Sequence, residues 1–279
     1  MPVPRRANCG RISLAGIKNS AANVAITAGT VDATYANIAS TLAAGGVVGQ
    51  NYGTVTQSGG AAAISGTGYI GGLAGINNGT IQTQSIISGG SVSGLNNLGG
   101  LVGFNTGSAT ISQSSSAAAV TGSAGGSWVG GLVGTNSGAI QQSAASGAVH
   151  GDFGVGGLAG NSGGSISQSY ATGAVSGSNY VGGLTGANSG SISLAFATGA
   201  VSGSSHFGGL TPFNSGSISA SSFWDNQSTG QSASVGGGTS LTTAQAKSQA
   251  TLTGMGYVFT GTPVWVITDG VTYPKLSWQ

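Results

Sequence analysis

Glutamate is missing altogether from this 279-residue chain, and Asp, Lys and Arg together make up only 4% of it. The four carboxylates, Asp32, Asp152, Asp225 and Asp269, are scattered, so none forms the clustered pair that acid–base or metal chemistry needs. A formal charge of +2, with Arg5, Arg6 and Arg11 at the extreme N-terminus, leaves no footprint for a phosphate backbone and excludes nucleic acid as a partner. Cys9 is the only cysteine, which excludes an internal disulfide and a multi-cysteine metal site. No run approaches the roughly 18 to 20 apolar residues that span a bilayer, so no transmembrane segment is expected. Residues 1–10 carry no hydrophobic secretory stretch. A fragment, a mature form and another export route are all compatible with that. No cofactor is implied, and the chain is not expected to be an enzyme.

What is abundant is glycine, 56 residues, in a chain that is still 39% hydrophobic. Disordered chains are poor in apolar residues, and glycine never falls strictly every third residue as collagen requires. The bias points to an ordered fold of tightly turned, close-packed backbone. Internal similarity explains it. A Gly-Gly-Leu-like pentad starts at Gly45, Gly71, Gly99, Gly130, Gly156, Gly182 and Gly208, with spacings of 26, 28, 31, 26, 26 and 26 residues. The longer periods reflect insertions near 84–89, 107–110 and 122–127. Each copy continues with Asn51, Asn77, Asn105, Asn136, Asn161, Asn188 or Asn214. A β-branched residue follows (Val55, Ile81, Ile111, Ile140, Ile166, Ile192, Ile218), and most copies add a second (Ile64, Val92, Val120, Val149, Val175, Val201). A degenerate copy leads the series at Leu14-Ala15-Gly16-Ile17-Lys18-Asn19.

Apolar residues do not recur at helical spacing, and glycine inside a helix costs about 1 kcal/mol. Short β-forming runs alternate instead with Asn-x-Gly and Thr-Gly turns. The expected fold is therefore all-β: a single-stranded β-solenoid, or β-helix, of about 26-residue coils with a small mixed C-terminal tail. No coil can bury its apolar face alone, so Leu73, Leu101, Leu132, Leu158, Leu184 and Leu210 should stack into one internal column. At about 4.8 Å between strands, seven or eight coils make a rod about 35 to 40 Å long. The Asn column suits turn positions, and its amides are placed to bond from coil to coil.

A column of rings stands two residues before each Gly-Gly pair: Tyr69, Trp128, Tyr180 and His206. Asn97 and Gly154 interrupt it, with Phe153 beside the latter. One reading is that the rings cover a face of the rod. A sharper one makes Tyr69, Trp128, Tyr180 and His206 a contact strip for a glycan or protein partner, with Trp128 the most exposed because of the insertion before it.

The organisation divides at 44 and 221. Residues 1–44 form a leader and N-terminal capping coil, with a short helix around 35–43. Residues 45–221 are the solenoid of seven clear repeats. Residues 222–279 form a C-terminal cap or connector, in which Phe223, Trp224, Trp265 and Trp278 would cover raw core or join a next module. The tail reads as a Gly/Ser linker over 228–238 and a helix with its start at 239–241, its body over 242–249 and its stop at Gly254. A strand pair then turns around Asp269-Gly270.

The pattern Gly-Gly-Leu-x-Gly-x-Asn-x-Gly-x-Ile-x-x-Ser-x-x-x-Gly-x-Val runs nearly complete through Gly131–Val149 and Gly183–Val201, the latter with Ala195 in place of Ser. Gly157–Val175 matches with one residue missing before Asn161 and one added after it. With Phe223-Trp224-Asp225, Leu241-Thr242-Thr243-Ala244-Gln245 and the Tyr273-Pro274-x-Leu276 ending, residues 45–279 resemble the GLUG-motif repeats of bacterial surface proteins, including filamentous-haemagglutinin-like adhesins. The resemblance implies a secreted or cell-surface β-solenoid that serves as a structural or adhesive module, with host or neighbouring-cell glycans or proteins as partners and no catalytic residue. The alternative is a subunit that assembles end to end into an extracellular fibre or sheath. Calcium-binding repeats need an Asp in every turn, and an ice-binding face needs regular Thr. The chain has neither.

Overall fold

The computed structural model describes residues 43–279 together with the short strands Arg11–Ile12, Ile17–Lys18 and Ala25–Thr27. The chain is an all-β solenoid whose successive coils stack in parallel. One coil shows the pattern: Val133–Asn136, Ala139–Gln141, Ala144–Ala145 and Val149–Gly156, each lying over its equivalent in the next coil. The first of these strands belongs to a 7-stranded parallel sheet, and the other three to a 22-stranded sheet that wraps the remaining circumference. Even the Gly-Gly-Leu turns are bonded along the axis, with Leu132 N donating to Leu158 O at 2.9 Å and Leu158 N to Leu184 O at 2.8 Å.

The Leu column is continuous. Leu73, Leu101, Leu132, Leu158, Leu184 and Leu210 are all 0% exposed, in one cluster with Val55, Ile81, Ile111, Ile140, Ile166 and Ile192. The second β-branched column does not join them. Ile64, Val92, Val120, Val149, Val175 and Val201 form a separate cluster with Ile70, Leu98, Val129, Val155 and Val181. The chain of Val149–Gly156 doubles over so that Val149 and Val155 face the same small interior. The rod therefore has a main lobe and a narrower arch lobe. Backbone alone divides them: a Cβ at Gly160 would fall 2.5 Å from both Trp128 C and Val129 N. Only glycine allows the two walls to touch there.

The insertions become local bulges that leave the next coil in register. Thr83 and Gln84 both take left-handed φ (54° and 58°), and pairing shifts again between Ile87 and Gly89 and between Thr121 and Ser127. Bulges absorb extra residues because the inward column must stay inward, and a one-residue slip would turn every side chain to the other face.

That rule corrects two alignments. The amide ladder runs from Asn51 Nδ2 to Asn77 Oδ1 (2.7 Å), Asn77 to Asn105 (2.9 Å) and Asn105 to Asn136 (2.9 Å). It then passes to Ser162 Oγ (3.2 Å), not to Asn161, and a further link joins Asn188 to Asn214 (2.6 Å). Asn161 lies opposite Thr135 and Ala187 in the outward position. No residue is missing from this coil; backbone pairing placed Ser where its neighbours have Asn. In the leading coil, Ile12 pairs with Asn51 and Ile17 with Val55, so Ile17 stands at the β-branched position and Ile12, not Asn19, stands opposite the Asn column. The helix expected over 35–43 lies outside the described residues apart from Ala43, which is in the strand Ala43–Gly45.

A second corner repeats without having been read from the sequence. Gln57, Gln113, Gln142 and Gln168 take left-handed φ of 44–48°. The buried Ser after each closes the corner: Ser114, Ser143 and Ser169 Oγ donate to the carbonyl two residues back, and Ser143 and Ser169 Oγ accept the amide of the previous coil.

The tail departs from the expected layout. Residues 228–238 are not a free linker. Asn226–Thr229 is a helical turn capped by Asp225, and Ala233 and Val235 bond the backbone of Gly209 and Thr211. Residues 239–241, expected to start a helix, belong instead to the strand Gly237–Leu241, which pairs with Ser217–Asp225. The helix itself divides into Thr243–Ala246 and Gln249–Gly254, because Ser248 caps a second start by accepting from Thr251 N. Trp265–Val266 pairs antiparallel with Lys275–Leu276 across the turn at Gly270.

Candidate binding face

Five coils contribute one left-handed residue just before the Gly-Gly turn: Asn97, Trp128, Gly154, Tyr180 and His206, with φ between 51° and 67°. This conformation breaks strand alternation. The following residue, as in Val129, Val155 and Val181, points into the arch, and the left-handed residue is thrown outward. At Gly154 a Cβ would lie 2.4 Å from Trp128 Cε3, so Trp128 rests on bare backbone and the ring of that coil comes from Phe153 instead.

The result is a strip of rings along the rod. Trp128 meets Phe153 edge-on at 5.4 Å, Phe153 meets Tyr180 at 5.1 Å, and Tyr180 stacks on His206 at 4.9 Å with planes 7° apart. Phe213 joins from the side, its centroid 6.2 Å from Tyr180. Tyr69 is not part of this strip. It stacks on Phe104 at 5.3 Å, and Asn97 separates the two groups by accepting a hydrogen bond from Thr135 Oγ1. Phe104 and Phe213 were missed in the sequence, although both stand at the outward x of Gly-x-Asn or its equivalent and alternation could have found them.

Trp128 is not the most exposed ring. It is half-buried, whereas Phe153 is 37% and Phe213 46% exposed. The insertion before Trp128 folds over onto the next coil, where Gly125 N donates to Asp152 Oδ2 at 2.8 Å. Ring orientation also matters. Tyr180 and His206 turn their faces to each other along the axis and their edges outward, so the faces that would stack on a sugar are already engaged. Hydrogen-bonding groups border the rings: His206 Nδ1 is 2.9 Å from Asn179 Oδ1 and 2.6 Å from Ser205 Oγ. Hydrogen bonds from Ser178 and from Gly125 N hold the Asp152 carboxyl below its ordinary pKa.

The four tail aromatics go to different places. Trp224 joins the main-lobe core and its Nε1 donates to Gln231 O at 2.8 Å. Phe223 continues a buried stack, Tyr170–Phe196–Phe223, with both steps 4.9 Å and planes within 5° of parallel. This stack lies on the side of the rod, and Trp265 and Tyr257 pack against it. Trp278 reaches further back, Nε1 donating to Gln142 O (2.9 Å) while its own carbonyl accepts from Gln84 Nε2 (3.1 Å). The tail thus closes part of the end and then runs back along the flank. Asp225 anchors the bend, accepting from Gln227 N, Ser228 N, Thr243 Oγ1 and Tyr273 OH. Burial alone would raise its carboxyl, but these four donors hold it below the ordinary value. Between tail and rod lies a cleft of about 540 Å³ edged by Lys247, Lys275, Thr172 and Tyr273, with Lys247 Nζ 5.0 Å from the Tyr273 ring centroid.

Among the described residues, no three His, Cys, Asp or Glu side chains are grouped to hold a metal, and no helix is long and apolar enough to cross a membrane. No family model, curated protein or solved structure matches the chain.

Proposed function

We propose that this β-solenoid is an extracellular structural and adhesive module of a bacterial surface protein, of the GLUG-repeat, filamentous-haemagglutinin-like kind. The single observation that carries the reading is the ring strip from Trp128 to Phe213, an aromatic ridge set lengthwise on a rigid stack of coils. Rigid scaffolds that hold exposed aromatic groups in fixed register suit recognition, because little side-chain entropy is lost on contact. The partner is a glycan or protein of a host or neighbouring cell, gripped by ring edges together with Asn179, Ser205 and Asp152. In this reading residues 1–44 are the leader and capping coil, 45–221 the display rod, and 222–279 the cap that keeps the C-terminal end from fraying.

Replacing the strip tests the proposal. Because Trp128, Tyr180 and His206 hold left-handed φ, asparagine is the substitution that keeps the backbone. A Trp128→Asn, Tyr180→Asn, His206→Asn triple variant should keep its β-type circular dichroism and lose at least about tenfold in binding to cells or to a glycan array. Unchanged binding by a folded triple variant would refute the assignment of the strip.

A second reading, a subunit that assembles end to end, is favoured by one observation: among the described residues no strand covers the C-terminal end of the arch lobe.

A further inference from the structure

The two lobes end differently. Trp224 closes the main lobe, lying over Gly209 with Leu210 in the same cluster, and Gly237–Leu241 adds a last strand there. The arch lobe ends at Val201–Gly208, which pairs on one side with Val175–Gly182. Among the described residues no strand pairs with its other side; the tail meets it at Val201 O, which accepts from Gln231 Nε2 at 3.0 Å.

Phe207 marks what is missing. It occupies the inward column of Ile70, Leu98, Val129, Val155 and Val181, each 0% exposed, yet it is 44% exposed because no further coil of the described residues covers it. The edge Val-Ser-Gly-Ser-Ser-His-Phe-Gly contains no Lys, Asp, Glu or Pro. Those are the devices that normally stop an edge strand from pairing with another chain.

A parallel stack has complementary ends, since the first strand of a column offers the side that the last strand lacks. Among the described residues the arch column begins at Ala25–Thr27, where Ile26 lies opposite Ile64 and Thr27 opposite Ser65. We propose that Val201–Gly208 docks the Ala25–Thr27 strand of a second copy, joining rods head to tail through the arch lobe with Phe207 covered in the joint. This deepens the self-assembly reading and rests on it. The repeat register sets Ile26 of one copy over Val201 of the other, and Thr27 over Ser202. Such a contact is heterologous and does not close on itself, so it builds filaments, not dimers. A formal charge of +2 offers little repulsion against it.

The register makes the joint testable by cross-linking. In a Cys9→Ser background, Thr27→Cys with Ser202→Cys should give a ladder of disulfide-linked multimers on a non-reducing gel. The two positions stand at opposite ends of one copy, beyond the span of an internal bridge. Moving the second cysteine to Ser219→Cys should abolish the ladder. In sedimentation, the wild type should associate with rising concentration. Phe207→Lys with Ser204→Lys should weaken that association at least about tenfold with circular dichroism unchanged, and Phe213→Lys, on the ring strip, should not. A wild type that stays monomeric would refute both this joint and self-assembly. Filaments that form equally from the Phe207→Lys variant, or that cross-link equally through Ser219→Cys, would refute this joint alone.

Discussion

The coil body and the tail solve the same problem, burying apolar surface, by opposite means. In the body the inward columns meet their own kind from coil to coil, Leu on Leu, β-branched on β-branched and, for most of the ladder, Asn on Asn, at one parallel register. In the tail each contact is unique, and partners are distant in sequence, as when Trp278 bonds Gln142 and Gln84. The polar accounting differs accordingly. Of the four buried side-chain polar atoms without a hydrogen bond among the described residues, three are in the tail (Ser228 Oγ, Tyr257 OH and Trp265 Nε1) and one, Thr185 Oγ1, is in the body. Repetition brings the same acceptor to the same place in coil after coil, as in the Asn ladder. A unique packing has to find every partner separately, and an orphaned buried group costs about 1–3 kcal/mol. The body should therefore fail as a whole and the tail by itself.

The largest effect should come from attacking the wall between the lobes. Gly160→Val would drive its side chain into the Trp128 and Val129 backbone, which cannot yield without opening both lobes. The expected loss exceeds about 3 kcal/mol, with a collapse of β signal in thermal melts. A melt within a few degrees of wild type would show that the wall is not close-packed.

Acid should separate the regions. The Asp225 pKa is lowered in the folded state, so its contribution is complete above the ordinary carboxylate value of about 3.9 and is lost as pH falls through the lower folded value. Amide exchange at low pH should rise over 242–279 while the coils around Leu132 and Leu158 stay protected. Asp225→Asn should produce a tail-specific loss of about 1–3 kcal/mol at neutral pH. Simultaneous exchange of both regions would mean that tail and body form one cooperative unit.

The smallest effect has the opposite sign. Ser162→Asn places a side-chain amide between Asn136 and Asn188, which should gain about 1 kcal/mol in chemical denaturation. Asn161→Ala, one residue away and outward, should change stability by less than about 0.5 kcal/mol. If Asn161→Ala proved the more costly, the register drawn through this coil would be wrong.

Much of the body was legible because its signals repeat. The Leu column, the β-branched columns and the sites of the insertions all came from spacing, since seven copies average out local noise. The single coil in which Asn161 and Ser162 stand side by side shows the limit. Residue identity favoured Asn161, but the hydrogen-bond register counts residues, not chemistry. The ring column was visible and its environment was not: Trp128 looked exposed until the insertion before it folded onto Asp152. The division of the core into two lobes also escaped, because a glycine wall and a glycine turn have the same composition.

Coil length, stacking of like on like and the identity of the Leu and the two β-branched columns follow from the sequence alone, because a repeated unit with one apolar face can bury it only against its own copies. Tertiary structure decided the two-lobed interior, the outward edges of the rings, the open arch at Phe207 and the course of the tail back along the flank. Each of these depends on which surfaces meet across many coils. Local spacing carries no record of contacts between residues as distant as Tyr170 and Gln279.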